Sequence, residues 1–159
     1  MMKTLIYAAA FTLAAAASIP AAYANTRTEA GRFPHIDSSV QFPQTRWRIV
    51  RHTFRLHIPQ ESSALSQLSI NVPTGLKVRN TINVSDQAGH KIDTNISVNG
   101  SKIILAFPEP VAPGSRLNIA MKNVKISGVS NAWLYPVSAK LVGLDTDIPV
   151  GVVRFKVYR

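Results

Sequence analysis

From residue 53 to residue 157 apolar side chains recur at every second position, a spacing that few backbone conformations can use. Phe54, Leu56 and Ile58 alternate with Thr53, Arg55 and His57, and Leu68, Ile70 and Val72 alternate with Gln67, Ser69 and Asn71. Leu76, Val78, Ile82 and Val84 share one parity, as do Ile92, Ile96 and Val98. Ile103, Leu105 and Phe107, then Leu117, Ile119 and Met121, continue the pattern. Trp133, Tyr135, Val137, Ala139 and Leu141, and finally Val153, Phe155 and Val157, close it. Successive side chains of a β-strand point to opposite faces, so each run reads as a strand buried on one side only. A helix would require apolar spacings of three and four. Only residues 60–67, after Pro59, have a composition suited to a short helical turn.

The turn residues agree. Asn99-Gly100 predicts a two-residue hairpin of type I′, in which both central residues need positive φ. Asp86-Gln87-Ala88-Gly89 predicts a second turn, and Pro108, Pro110 and Pro113-Gly114 a longer connection. About eight strands with turns at this frequency predict an antiparallel immunoglobulin-like β-sandwich, with a small closed β-barrel as the alternative. No repeat of 20–50 residues is visible, which argues against a solenoid or propeller. Parity breaks once: Trp47 and Ile49 are odd, whereas Phe54, Leu56 and Ile58 are even. A regular strand cannot change face, so a bulge or break is predicted near Val50 to His52, or a strand that crosses between sheets.

The N-terminus has a different texture. Lys3, an Ala-rich apolar stretch from Leu5 to Ala17, and Ala22-Tyr23-Ala24 before Asn25 read as a secretory signal peptide cleaved after Ala24. The stretch is too short and weakly apolar for a bilayer span, which takes roughly 20 residues. The expected organisation is a signal peptide at 1–24, a poorly ordered segment at 25–46 and a sandwich domain at 47–159. Phe33, Ile36, Val40 and Phe42 are the apolar residues able to pin that segment. The mature chain is expected to have no transmembrane span, and its location to be the periplasm, the cell envelope or the extracellular space.

The chain contains no cysteine. Disulfide staples, thiolate metal sites, a thiol nucleophile and a lipoprotein anchor are therefore all excluded, and stability must come from the core. No catalytic constellation is evident: there is no G-x-S-x-G, and the few carboxylates sit mostly in turn contexts. His52 and His57 are five apart, so one strand would point them to opposite faces. No catalytic or metal residues and no cofactor are expected. The alternatives held beside this are a copper or zinc carrier using histidines with Met121, and a hydrolase of acidic saccharides or esters.

Charge carries more information. Without Lys3 the chain retains 17 Lys and Arg against 8 Asp and Glu, a formal charge of +9. Such an excess favours an anionic envelope component, such as a glycan or lipid surface, or an acidic protein. Export argues against nucleic acid. Arg46, Arg48, Arg51 and Arg55 gather in the first predicted strand region with Trp47 and Phe54, and Arg154, Lys156 and Arg159 lie in or after the last. If those two strands are neighbours, Arg51, Arg55, Arg154 and Lys156 form one anion-binding face, using forked guanidinium donors. The oligomeric state is not determined by these features.

Several segments in order carry a family resemblance. They are Arg51-His52-Thr53-Phe54-Arg55-Leu56-His57-Ile58-Pro59, then the run from Ala64 to Leu76, then Val84-Ser85-Asp86 with Gly89. Phe107-Pro108-Glu109-Pro110-Val111-Ala112-Pro113-Gly114 and Leu134-Tyr135-Pro136-Val137 follow. Over roughly residues 47–158 the chain resembles the cyanobacterial exported proteins catalogued as domain of unknown function 2808. The resemblance implies an exported cyanobacterial envelope protein and no assigned activity. Together these readings predict a non-catalytic binding or structural module of the cell envelope.

Overall fold

A computed structural model describes residues 31–158; the expected signal peptide and its cleavage point after Ala24 lie outside them. The alternating runs become strands, ten in all among the described residues: β1 (His35–Phe42), β2 (Ile49–His57), β3 (Leu65–Asn71), β4 (Leu76–Lys77), β5 (Ile82–Asp86), β6 (Asn95–Asn99), β7 (Lys102–Val111), β8 (Arg116–Ile126), β9 (Ala132–Leu141) and β10 (Ile148–Lys156). One sheet runs β1-β2-β8, with β4 and β5 both pairing on the far side of β8. The other runs β10-β9-β3-β7-β6, and every pairing between strands is antiparallel.

The inward residues of the two sheets meet in one core. Phe54 and Leu56 of β2, and Leu117 and Ile119 of β8, face Leu68, Ile70, Ile103, Leu105, Tyr135 and Phe155 from the opposing sheet, all essentially without exposed surface. Each such side chain stabilises the fold by about 1.5–3 kcal/mol relative to remaining exposed. That is how a chain without disulfides holds a sandwich of this size.

Two additional strands appear beyond the number expected. Residues 35–42, expected to be poorly ordered, form β1 and pair with β2 along its length. The apolar residues proposed as pins do not all serve: Phe42 and Val40 point outward, while Gln41 is buried. The sheets also meet edge to edge. Ser39 Oγ donates to the Arg154 carbonyl at 2.6 Å, and the Tyr158 amide donates to the Gln44 carbonyl at 3.0 Å. Contact of β1 with β10 covers backbone that would otherwise invite pairing with another chain.

The irregularity predicted near Val50 to His52 exists, but the additional residue sits in the partner strand. Val50 pairs with Val124 and His52 with Met121, so β8 spends one residue more than β2. Asn123 there has φ of 54°, and β8 changes its inward parity from Leu117, Ile119 and Met121 to Val124. β2 keeps its parity throughout, and Trp47 and Ile49 are instead outward, 62% and 58% exposed.

Turn chemistry is largely as expected, with three corrections. Asn99 pairs with Lys102, so the hairpin turns on Gly100 and Ser101. Gly100 alone has positive φ, which fits a type II′ turn rather than type I′. Pro108 and Pro110 lie inside β7, in a stretch that leaves the ladder between Ala106 and Val111, where a missing N–H costs no strand pairing. Residues 60–67 form a turn, with the Ser62 amide on the Pro59 carbonyl, and enter β3 at Leu65 without a helix. The Asp86 turn is as predicted: its Oδ1 accepts from the amides of Ala88 and His90, each at 2.9 Å. The His90 amide above all, with that of Ala88, holds this carboxyl below the usual carboxylate range.

Candidate functional site: a basic sheet face

Strand pairing decides which polar side chains share a surface. β2 and β10 belong to different sheets, with β1 beside β10 at the seam. Arg51 and Arg55 therefore project from the outer face of the first sheet, while Arg154 and Lys156 project from the outer face of the second. The four residues expected to make one anion-binding face are split into two pairs.

Other cations join the first pair. Arg116, Lys122 and Lys125 of β8 and Lys77 of β4 are exposed on the same sheet, with Lys125 paired to Ile49 on one side and to Lys77 on the other. The acids in this neighbourhood are Asp37, whose Oδ2 lies 3.9 Å from Arg116 Nε, and Asp86, engaged in its turn. The β8 and β4 cations are not clustered in the sequence, so they form no run. Alternation with Leu117, Ile119 and Met121 marks Arg116 and Lys122 as outward, but the bulge at Asn123 reverses the parity and hides Lys125.

The face has one focus. Arg55 pairs with Asn118 and His57 with Arg116, which sets Arg55 and Arg116 diagonally across adjacent strands, about 7–8 Å apart at the backbone. With Gln87, Leu117 and Asn118 they line a depression of about 140 Å³. Asn118 Oδ1 is buried there without a hydrogen-bond partner among the described residues. Two forked cationic donors converging on one depression suit a ligand that carries an anion. Arg51, further along the face, lies over the Phe42 ring, 5.6 Å from its centroid.

A cluster of a different kind lies at the end of the same face. β1 sets His35 directly opposite His57, and a bulge between Ile36 and Ser38 makes Asp37 the unpaired additional residue. His35 Nε2 is 3.3 Å from His57 Nδ1 and 3.4 Å from Asp37 Oδ1.

His52, the remaining histidine weighed from the sequence, lies in the core. His52 is fully buried, stacked on Phe155 at 4.2 Å between ring centroids. Gln41 donates its amide hydrogens to the carbonyls of Pro43 and Thr45, so its oxygen accepts from His52 Nε2 at 2.9 Å. His52 Nδ1 must then accept from the Tyr135 hydroxyl at 2.7 Å. Burial lowers the His52 pKa to about 3 and pushes the Tyr135 phenol well up. Both ring nitrogens are engaged and Met121 is buried in the core, so these residues do not assemble the metal set weighed from the sequence.

A larger apolar depression, about 230 Å³, opens at the end of the sandwich where Trp47 and the β8–β9 connection meet. Trp133 forms part of its lining, and the edge of that ring lies against Gly75 and Gly128.

Fold and surface define a class: an immunoglobulin-like β-sandwich with a basic outer face. Residues 30–152 match the family described as a protein of unknown function, DUF2808, and the chain belongs to it. No curated protein matches the chain. Among solved structures, an uncharacterised Nocardia farcinica protein with an immunoglobulin-like fold is 11% identical, with 79% of this chain and 99% of that one covered and a TM-score of 0.54. The major pilin subunit BcpA of Bacillus cereus is 10% identical over 78% of this chain and 40% of its own, with a TM-score of 0.53. The N-terminal domain of the Streptococcus gordonii adhesin Sgo0707 is 12% identical over 79% of this chain and 32% of its own, with a TM-score of 0.51. The chain thus spans less than half of the pilin and adhesin chains. At these identities the likeness is one of fold.

Proposed function

We propose that this protein is an exported, non-catalytic module of the cell envelope that holds an acidic polysaccharide on the outer face of its first sheet. The observation carrying this reading is the Arg55–Arg116 pair at one depression, set among further exposed cations. The guanidinium groups suit a uronate carboxylate. An exposed ion pair contributes only about 0.2–1 kcal/mol, so a single small anion would be held weakly. A polymer that engages several of these cations together suits the surface better.

Export rests on the leader read at residues 1–24. The sharing of this fold with proteins described as an adhesin and a pilin subunit supports placement at the cell surface. The test is affinity electrophoresis of the purified protein through gels carrying polygalacturonate, with neutral dextran as control. Retardation by polygalacturonate alone, lost in Arg55→Gln/Arg116→Gln and kept in Arg154→Gln/Lys156→Gln, is expected. Mobility unchanged by polygalacturonate at low salt, or a greater loss in the second variant, would overturn the reading. Retention by vesicles of anionic phospholipid but not by the polysaccharide would replace the glycan with a lipid surface.

A further inference from the structure

We propose that His35, Asp37 and His57 form a binding site for a divalent cation of the zinc type, at the β1–β2 end of the basic face. The cluster is a product of pairing. His35 and His57 are register partners on the outer side of the sheet, and the bulge at Asp37 sets its carboxylate beside them. All three donor atoms lie within 4.8 Å of one another. Zinc bonds to imidazole nitrogen and carboxylate oxygen are about 2.0–2.2 Å, so ligands at tetrahedral angles stand about 3.3–3.6 Å apart. The two contacts made by His35 Nε2, at 3.3 and 3.4 Å, have that spacing.

The outer contacts of the cluster leave its donor atoms facing one another. His35 Nδ1 lies on the side of the Phe33 carbonyl, 3.5 Å away, so Nε2 is the nitrogen turned toward His57 and Asp37. A cation held there engages His35 Nε2, His57 Nδ1 and Asp37 Oδ1 at once. Arg116 Nε approaches the other carboxylate oxygen, Oδ2, and so turns Oδ1 toward the imidazoles, as outer partners of metal ligands do.

The donor set selects the ion. Two imidazole nitrogens with one carboxylate suit zinc or a neighbouring first-row ion and leave one tetrahedral position open. Calcium and magnesium require mostly oxygen ligands at six or more positions, and this cluster supplies one carboxylate. The site does not depend on the basic face binding a polysaccharide.

The test is isothermal titration of the chelator-treated protein with zinc chloride, and separately with calcium chloride. Saturable one-to-one zinc binding is expected, with no calcium heat. Replacement of either ligand, His35→Ala or His57→Ala, should weaken zinc at least tenfold, whereas His90→Ala should leave it unchanged. Unaltered far-ultraviolet circular dichroism would show that the variants fold. On the wild type, zinc should shift the nitrogen resonances of His35 Nε2 and His57 Nδ1. Absence of saturable zinc heat, or zinc binding unaffected by both ligand substitutions, would overturn the proposal.

Discussion

The Tyr135 hydroxyl donates to His52 Nδ1 at 2.7 Å across the interior, joining β9 of one sheet to β2 of the other. The chain of bonds continues through His52 Nε2 to Gln41 and on to the backbone of Pro43 and Thr45. Every member is satisfied only while the imidazole is neutral, so this network ties fold stability to pH.

Acid should weaken the fold through His52. An unfolded histidine takes up a proton near pH 6.5, whereas burial holds this one to about 3. Between those values the unfolded chain binds the additional proton, so the contribution is complete above about pH 6.5 and is lost as pH falls toward 3. The expected slope approaches about 1.4 kcal/mol per pH unit, and urea unfolding at pH 7 and pH 4.5 should differ by about 2–3 kcal/mol from this group. Proton-detected titration should show a His52 ring that does not titrate between pH 5 and 8.

Tyr135→Phe keeps the ring contacts with Phe155 and His52 but removes the donor. It leaves His52 Nδ1 buried and unpaired, at a cost of about 1–3 kcal/mol in urea unfolding. A midpoint equal to that of the wild type would show that the hydroxyl contributes nothing to stability.

Gly75→Ala should be destabilising for two reasons. Gly75 has φ of 97°, and a Cβ there would stand 3.3 Å from both the Trp133 ring and the Gly128 Cα. The backbone term alone is about 1–2 kcal/mol, and displacement of Trp133 should red-shift its fluorescence.

Asn123 marks the β8 bulge with its left-handed φ of 54°. Asn123→Gly should be neutral or slightly stabilising, and Asn123→Val should lose about 1–2 kcal/mol, because a β-branched residue opposes that conformation. Equal thermal midpoints for the two variants would show that the bulge relaxes without cost.

Glycan retention should fall steeply with salt, because the contacts are exposed and the screening length shrinks from about 10 Å at 0.1 M to about 3 Å at 1 M. Arg55→Gln should flatten the dependence of binding on salt concentration more than Arg154→Gln does. Equal slopes in titrations against polygalacturonate would place the contact elsewhere.

Legibility differed sharply between fold and site. The inward residues of nearly every strand could be read from alternation, because face is a local consequence of the two-residue backbone period. Trp47 and Ile49 give a false parity break, since a large apolar residue can lie on the outer side of a sheet, as both do here. β1 went unread because its buried anchor is Gln41, whose burial depends on His52 eleven residues away.

The sequence by itself determined most of the strands from β2 onward, their apolar faces, the absence of any disulfide and an excess of positive charge. Tertiary structure alone decided which outward faces combine. It separated Arg51 and Arg55 from Arg154 and Lys156, and it brought Arg116 to Arg55 and His35 to His57. Side-chain direction follows from the chain's own pleat, whereas strand neighbours are chosen by packing two sheets around one core. Charged residues on the outer faces have little influence on that choice and are carried to their places by the apolar residues beneath them.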